Sequence, residues 1–171
     1  MGLVHIYCGD GKGKTTASVG LAVRAAGSGM KVMFTQFFKT GISSEINSMK
    51  QLKNIECVVM EGSFGRISRM TEEQKNIAQK SFNKHFDKIA KMSEECDMVI
   101  FDEINSAVNH GMVDLEKVKK FIIENRENKE IILTGRNPHK DLVELADYVS
   151  EIKKVKHPYD NGIKARKGIE F

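Results

Sequence analysis

The stretch Cys8-Gly9-Asp10-Gly11-Lys12-Gly13-Lys14-Thr15-Thr16 constrains this chain more than any other. It follows the apolar run Leu3-Val4-His5-Ile6-Tyr7 and opens a helix-competent stretch starting near Lys14. Strand, glycine loop and helix in that order are the context of a P-loop. Glycines let successive backbone N–H groups turn inward around a phosphate, and the helix N-terminus adds partial positive charge. Lys14 then bridges phosphate oxygens, and the Thr15 hydroxyl is placed to ligate Mg²⁺. Gly9, Asp10, Gly11, Lys12, Gly13, Lys14, Thr15 and Thr16 are therefore the candidate nucleotide-binding residues. The strict pattern G-x-x-x-x-G-K-[ST] would put its first glycine at Cys8. Gly9 and Gly11 are expected to supply the missing flexibility.

The remaining chain reads as alternating strands and helices. Residues 14–29 form the helix after the loop, with Val19, Ala22, Val23 and Ala26 at helical spacing and Gly27 and Gly29 ending it. Lys31 to Phe38 is nearly all apolar, as suits a strand covered on both faces. A polar loop spans 39–44, a short helix runs from about Ser44 to Leu52, and Ile55 to Met60 is a third strand. Residues 61–70 lack periodicity and read as a mobile loop. Thr71-Glu72-Glu73-Gln74 is a capping box for a long helix reaching about Glu95. Asp97 to Ile104 is a fourth strand ending in two acids, and Asp114 caps the next helix. Ile131 to Thr134 is a fifth strand, Pro138 suits the first turn of a short helix through Ala146, and Tyr148 to Val155 is the last strand. This alternation predicts one α/β domain over 1–171. It implies a mostly parallel sheet of about six strands with helices on both faces. In such sheets the ligand crevice lies beyond the strands' carboxyl ends. The first loop, the Lys39 loop, the Phe64 loop, Asp102-Glu103 and Thr134-Gly135-Arg136 all fall there.

Asp102-Glu103 follows the apolar run Met98-Val99-Ile100-Phe101, which is the Walker B position, where an acid holds Mg²⁺ directly or through water. Thr15, Asp102 and Glu103 are thus the candidate metal ligands. Asn105 orients a ligand or caps a turn. Arg24 sits on the loop helix, within reach of a phosphate or nucleobase or else a surface cation. Arg136, after Gly135 at a strand end, suits bidentate phosphate contact.

Several classes are disfavoured. No apolar run approaches the roughly 18–20 residues of a membrane span. No signal peptide is visible, which leads to an expectation of the cytoplasm. Cys8, Cys57 and Cys96 are widely spaced, with no C-x-x-C pair, so neither a zinc site nor a disulfide framework is indicated. His85 is expected to be structural. The net charge of +4 gathers in the C-terminal stretch, where Lys153, Lys154, Lys156, Lys164, Arg166 and Lys167 outnumber acids. An anionic partner or a solvated basic tail fits this, and nucleic acid is disfavoured for want of base-stacking aromatics. Asn128-Lys129-Glu130-Ile131 lacks the Asp of a GTPase base reader. Arg66 and Arg69 make a thin lid for a small-molecule kinase. A P-loop kinase, a RecA-like ATPase and a non-catalytic nucleotide-binding regulator stay open at this point.

The motifs together resemble the corrinoid adenosyltransferases of the CobA/CobO/BtuR type. The matching stretches are Gly9 to Thr16, Gln36-Phe37-Phe38-Lys39, Asp102-Glu103-Ile104-Asn105, Thr134-Gly135-Arg136 and Leu145-Ala146-Asp147. Val155-Lys156-His157-Pro158-Tyr159 follows, with Gly162-Ile163, Ala165 and Lys167-Gly168-Ile169-Glu170. The resemblance implies transfer of the 5′-deoxyadenosyl group of ATP to Co(I) of a reduced corrinoid, cobalamin or cobyrinic acid a,c-diamide, with release of triphosphate. It implies a RecA-like P-loop NTPase fold, Mg²⁺, a homodimer, and an electron donor such as a flavodoxin or flavin reductase. Lys14, Glu103 and Arg136 would serve the triphosphate, and Phe64 would cover the corrinoid's lower face. ATP would lie reversed in the loop. Relatives usually carry Trp two residues beyond the Phe64 position, where this chain has Arg66, and Asn where it has Asp10.

Overall fold

A computed structural model describes residues 2–39, 43–62, 64–65 and 67–170. Arg66 lies outside the described residues. Among those described, six strands form one sheet: β1 (Val4–Cys8), β2 (Val32–Gln36), β3 (Ile55–Val59), β4 (Met98–Asp102), β5 (Glu130–Thr134) and β6 (Tyr148–Glu151). Their order is β3-β2-β4-β5-β1-β6, and every pairing is parallel. Parallel pairing puts all six carboxyl ends on one edge.

The helices are α1 (Lys14–Gly27), α2 (Ser44–Met49), α3 (Glu72–Met92), α4 (Ile104–Asn109), α5 (Leu115–Asn125) and α6 (Lys140–Leu145). Strand side chains alternate between faces, and two apolar layers result. Phe34, Ile100 and Ile132 pack with Ala22 and Ala25 of α1 and Ile46 and Met49 of α2. Met33, Val99, Phe101, Ile131 and Leu133 point the other way, onto Phe82, Phe86 and Ile89 of α3 and Val118, Phe121 and Ile122 of α5. Burial of each such side chain is worth about 1.5–3 kcal/mol, which explains the apolar runs Val32-Met33-Phe34 of β2 and Met98-Val99-Ile100-Phe101 of β4. α1 is the crossover from β1 to β2 and must span β5 and β4, which lie between them.

The capping box forms as expected: the Gln74 N–H donates to Thr71 Oγ1 at 3.2 Å, and the Thr71 N–H to Gln74 Oε1 at 3.0 Å. Asp114 caps α5 through the Glu116 N–H. Several bounds differ from the sequence reading, among them the last strand, which ends at Glu151 and not Val155. Pro138 stands before α6, because His139 Nδ1 accepts the Asp141 N–H and starts the helix at Lys140. The strand expected to reach Ile104 stops at Asp102, and α4 begins at Ile104. Asp147, within the Leu145-Ala146-Asp147 motif, has a structural task. It accepts from the Val4 N–H at 2.8 Å and from Arg126 at 2.8 Å, fixing the start of β1.

Candidate active site

The first loop turns into α1 through Gly13, whose φ of 120° only glycine adopts without strain. The loop's other glycines answer to a different neighbour. A Cβ on Gly9 would stand 2.4 Å from the Ile152 carbonyl oxygen, and one on Gly11 2.7 Å from it. The chain leaving β6 therefore lies directly against the loop. The Gly11 N–H donates to Ile152 O at 2.8 Å, so this amide is engaged by the protein itself. The Lys154 N–H donates to Asp10 Oδ1 at 3.0 Å and holds the Asp10 carboxyl below its usual range. Asp10, at the position the sequence reads as an anion-binding loop residue, thus anchors the C-terminal segment.

Lys14 opens α1 and is buried, with Nζ donating to Gly11 O at 2.8 Å. Burial pushes its ammonium below the ordinary lysine value, and Glu103 opposes that. Behind it, Asp102 is fully buried at the end of β4. Asp102 Oδ1 accepts from Thr15 Oγ1 at 2.9 Å and from Thr134 Oγ1 at 2.7 Å, and Oδ2 accepts from Gln36 Nε2 at 3.1 Å. Burial pushes the carboxyl upward, opposed by Lys39 and the two hydroxyls. Because the Glu103 N–H donates to Thr134 Oγ1, the Thr134 hydroxyl proton is directed at Asp102. Glu103 itself adopts a left-handed φ of 64°, which turns the chain out of the strand and into α4. Its carboxylate accepts from Ser106 Oγ at 2.6 Å.

A cavity of about 590 Å³ opens at the carboxyl ends of β1, β2, β4 and β5. Asp10, Gly11, Lys12, Gly13, Lys14, Thr15, Thr16, Glu103 and Arg136 line it. Of the site residues read from the sequence, Gly9, Arg24, Phe64 and Asp102 stand outside the lining. Gly9 faces Ile152, and Asp102 lies beneath the floor. Arg24 is ten residues along α1 from Lys14, about 15 Å at helical rise. Phe64 packs its ring on Phe82, centroids 5.6 Å apart, among the α3 side chains.

The cavity also takes in residues to which the sequence assigned no role in the site. Lys39 and Glu45 line it, with Lys39 Nζ 3.3 Å from Glu45 Oε1 and 3.9 Å from Asp102 Oδ2. Gln36 Nε2 bridges the two acids, donating also to Glu45 Oε1 at 2.9 Å. The tail contributes His157, Gly168, Ile169 and Glu170. Asn105 is wholly buried, and its amide has no hydrogen-bond partner among the described residues. Phe38 holds a left-handed φ of 63° with its ring on Phe82 at 4.9 Å and edge-on to His110 at 6.1 Å. An aromatic side chain in that region is strained. Phe38 and Phe64 thus share Phe82 as a floor, beside Lys39 of the cavity.

The donor set suits a hard cation. Among the described residues no group of three or more His, Cys, Asp or Glu is placed to hold a metal. Mg²⁺ commonly takes one or two protein oxygens and completes its shell with phosphate and water. The Thr15 hydroxyl, its proton directed to Asp102, leaves an oxygen lone pair for such an ion, and Glu103 offers a carboxylate on the same cavity.

Comparison with known proteins agrees with this arrangement. A KaiC-like protein of Pyrococcus horikoshii aligns with a TM-score of 0.51 at 14% identity, covering 90% of this chain and 72% of that one. ATPases 2 and 3 of EssC from Geobacillus thermodenitrificans align with a TM-score of 0.51 at 16% identity, covering 99% of this chain and 36% of that one. These show the fold to be the RecA-like α/β arrangement of P-loop NTPases. In sequence, the corrinoid adenosyltransferase of Escherichia coli is 35% identical over 170 residues, 99% of this chain and 86% of that protein. Corrinoid adenosyltransferase CobA of Salmonella typhimurium is 33% identical, with the same coverage of 99% and 86%. The family model described as ATP:corrinoid adenosyltransferase BtuR/CobO/CobP matches residues 1–171. With a family match along its whole length and relatives at 33–35% identity of which it covers 86%, the chain belongs to the ATP:corrinoid adenosyltransferase family.

Proposed function

We propose that this chain transfers the 5′-deoxyadenosyl group of Mg-ATP to Co(I) of a reduced corrinoid, cobalamin or cobyrinic acid a,c-diamide, and releases inorganic triphosphate. The observation that carries this reading is the convergence of Lys14, Thr15, Glu103 and Arg136 on one cavity in a chain of this family. Co(I) of the substrate supplies the electron pair and attacks C5′. The C5′–O bond breaks, and its pair stays on the triphosphate oxygen. No side chain acts as nucleophile. The protein's work is to place C5′ and to stabilise charge growing on the leaving group. Lys14 and Arg136 supply fixed cations, and the α1 N-terminus adds backbone N–H groups. ATP lies reversed in the loop, which directs C5′ away from it.

Thr15 and Glu103 would hold Mg²⁺, and Asp102 would act through the Thr15 hydroxyl. When bound, the ion draws charge from phosphate oxygens. Phe64, supported on Phe82, faces the lower side of the corrinoid. The same reading extends to a cytoplasmic homodimer served by a flavodoxin or flavin reductase.

The test is direct. Protein, ATP, Mg²⁺ and chemically reduced cobalamin are expected to yield adenosylcobalamin and intact triphosphate. Orthophosphate release with no change in the corrinoid spectrum would refute the reading.

A further inference from the structure

Two cations of the cavity already have carboxylate partners inside the protein. Lys39 pairs with Glu45, and Lys12 Nζ lies 3.4 Å from Glu170 Oε1. The second pair is unusual in its anchoring. Glu170 belongs to the C-terminal tail and is gripped from behind by Arg166. The Arg166 backbone N–H donates to Oε2 at 2.7 Å, Nε donates to Oε2 at 3.3 Å, and a terminal guanidinium nitrogen donates to Oε1 at 3.0 Å. The Glu170 side chain is 20% exposed, whereas that of Lys12 is 46% exposed. The carboxylate is fixed, and the lysine is the partner free to move. Both residues line the cavity.

We infer that Glu170 is a resident counter-anion for Lys12: it holds the lysine while the cavity lacks polyphosphate, yields it when polyphosphate enters, and reclaims it as triphosphate leaves. The inference rests on the adenosyl-transfer reading, in which triphosphate is the leaving group. A site that stabilises a polyanionic leaving group with Lys12, Lys14 and Arg136 also retains that group as product. Product held too tightly limits turnover without helping the chemical step. A carboxylate fixed at the cavity wall opposes retention in two ways. It competes for Lys12, and it repels phosphate oxygens. Arg166 grips the Glu170 carboxylate independently of Lys12, and Gly168 and Ile169 line the same cavity, so the carboxylate keeps its place in the tail when the lysine lets go. The pair is partly exposed, so its effect is modest and screened by salt.

Glu170→Gln removes the charge and preserves the size. Calorimetric titration with inorganic triphosphate should give a Kd about threefold lower in this variant than in the wild type at low salt, the difference shrinking as salt rises. Single-turnover adenosylation should match the wild type while the steady-state rate falls, since release is slowed. In a Lys12→Ala background the difference between Glu and Gln at position 170 should vanish. If Glu170→Gln fails to fold, Glu170→Asp, whose carboxylate is drawn back by one methylene, should shift Kd in the same direction. Unchanged or weaker triphosphate binding in the folded variant overturns the inference and leaves adenosyl transfer standing. A wild-type protein that binds no triphosphate overturns both.

Discussion

The Thr15 hydroxyl donates to Asp102 Oδ1 across 2.9 Å, joining the first turn of α1 to the end of β4 although β5 lies between β4 and β1. Thr134 of that intervening strand donates to the same oxygen at 2.7 Å. One buried carboxylate therefore fixes three strand ends and the start of the loop helix.

Asp102→Asn tests this joint. An amide would face the hydroxyl protons of Thr15 and Thr134 or the amide of Gln36 with its own N–H group. The expected loss is about 1–3 kcal/mol, read as a lower urea midpoint with an unchanged slope. A variant as stable as the wild type would show that the three donors have other partners.

Lys14→Ala should abolish triphosphate stabilisation with the fold intact. The adenosylation rate should fall by about 100-fold or more, the scale of losing one preorganised electrostatic contact to a developing anion. Far-UV circular dichroism should match the wild type. Near-normal rates would remove Lys14 from the mechanism.

Phe64→Ala separates two steps. Its ring rests on Phe82 outside the nucleotide cavity, so ATP affinity should hold. Reduction of bound Co(II) should suffer more than transfer from pre-formed Co(I). Equal losses in the two assays would contradict a role at the corrinoid face.

Gly11→Ala should disturb loop and tail together. The new Cβ would stand 2.7 Å from Ile152 O and 2.8 Å from the Lys153 carbonyl, and backbone cannot yield cheaply. A destabilisation of about 1–3 kcal/mol is expected, with faster proteolysis of the tail and weaker ATP binding. An ordered tail and full affinity in the variant would show that the approach relaxes freely.

His85 makes stability depend on pH. Thr35 donates its hydroxyl proton to Val58 O at 2.8 Å, so it accepts the Nε2–H of His85 at 2.7 Å, and the buried imidazole is neutral. Burial lowers its pKa to about 4. The unfolded chain, with an ordinary histidine value near 6.5, binds more protons between those limits. Stability should therefore fall as pH drops from about 6.5 to 4, by about 2 kcal/mol after allowance for solvent screening. Urea unfolding at pH 7 and 4.5 measures this, and His85→Gln should flatten the difference.

Much of this architecture is legible in the sequence because it depends on local patterns. The glycine loop announces its strand and helix, and apolar runs such as Met98 to Phe101 mark buried strands. What escapes the sequence depends on contacts between distant residues. Nothing near Glu103 signals that it turns left-handed and starts α4, a helix of six residues without a side-chain cap. Pro138 fits a first helical turn equally well until His139 Nδ1 supplies the cap. Lys39 and Glu45 become neighbours only when β2 brings Gln36 beside Asp102. Phe64 and the nucleotide loop both follow strand ends, yet α3 draws Phe64 onto Phe82 and away from the cavity.

The contact of Ile152 and Lys153 with Gly9 and Gly11 has a consequence for synthesis. Asp10 and Lys154, which also join there, are 144 positions apart. Such pairing carries a large loop-closure cost and forms late in folding. The glycine loop is synthesised 144 positions ahead of Lys154, so a nascent chain displays the loop long before the wall that shapes it. Chains halted before Tyr148 should therefore hold the glycine loop without the wall that shapes it, however complete their first five strands.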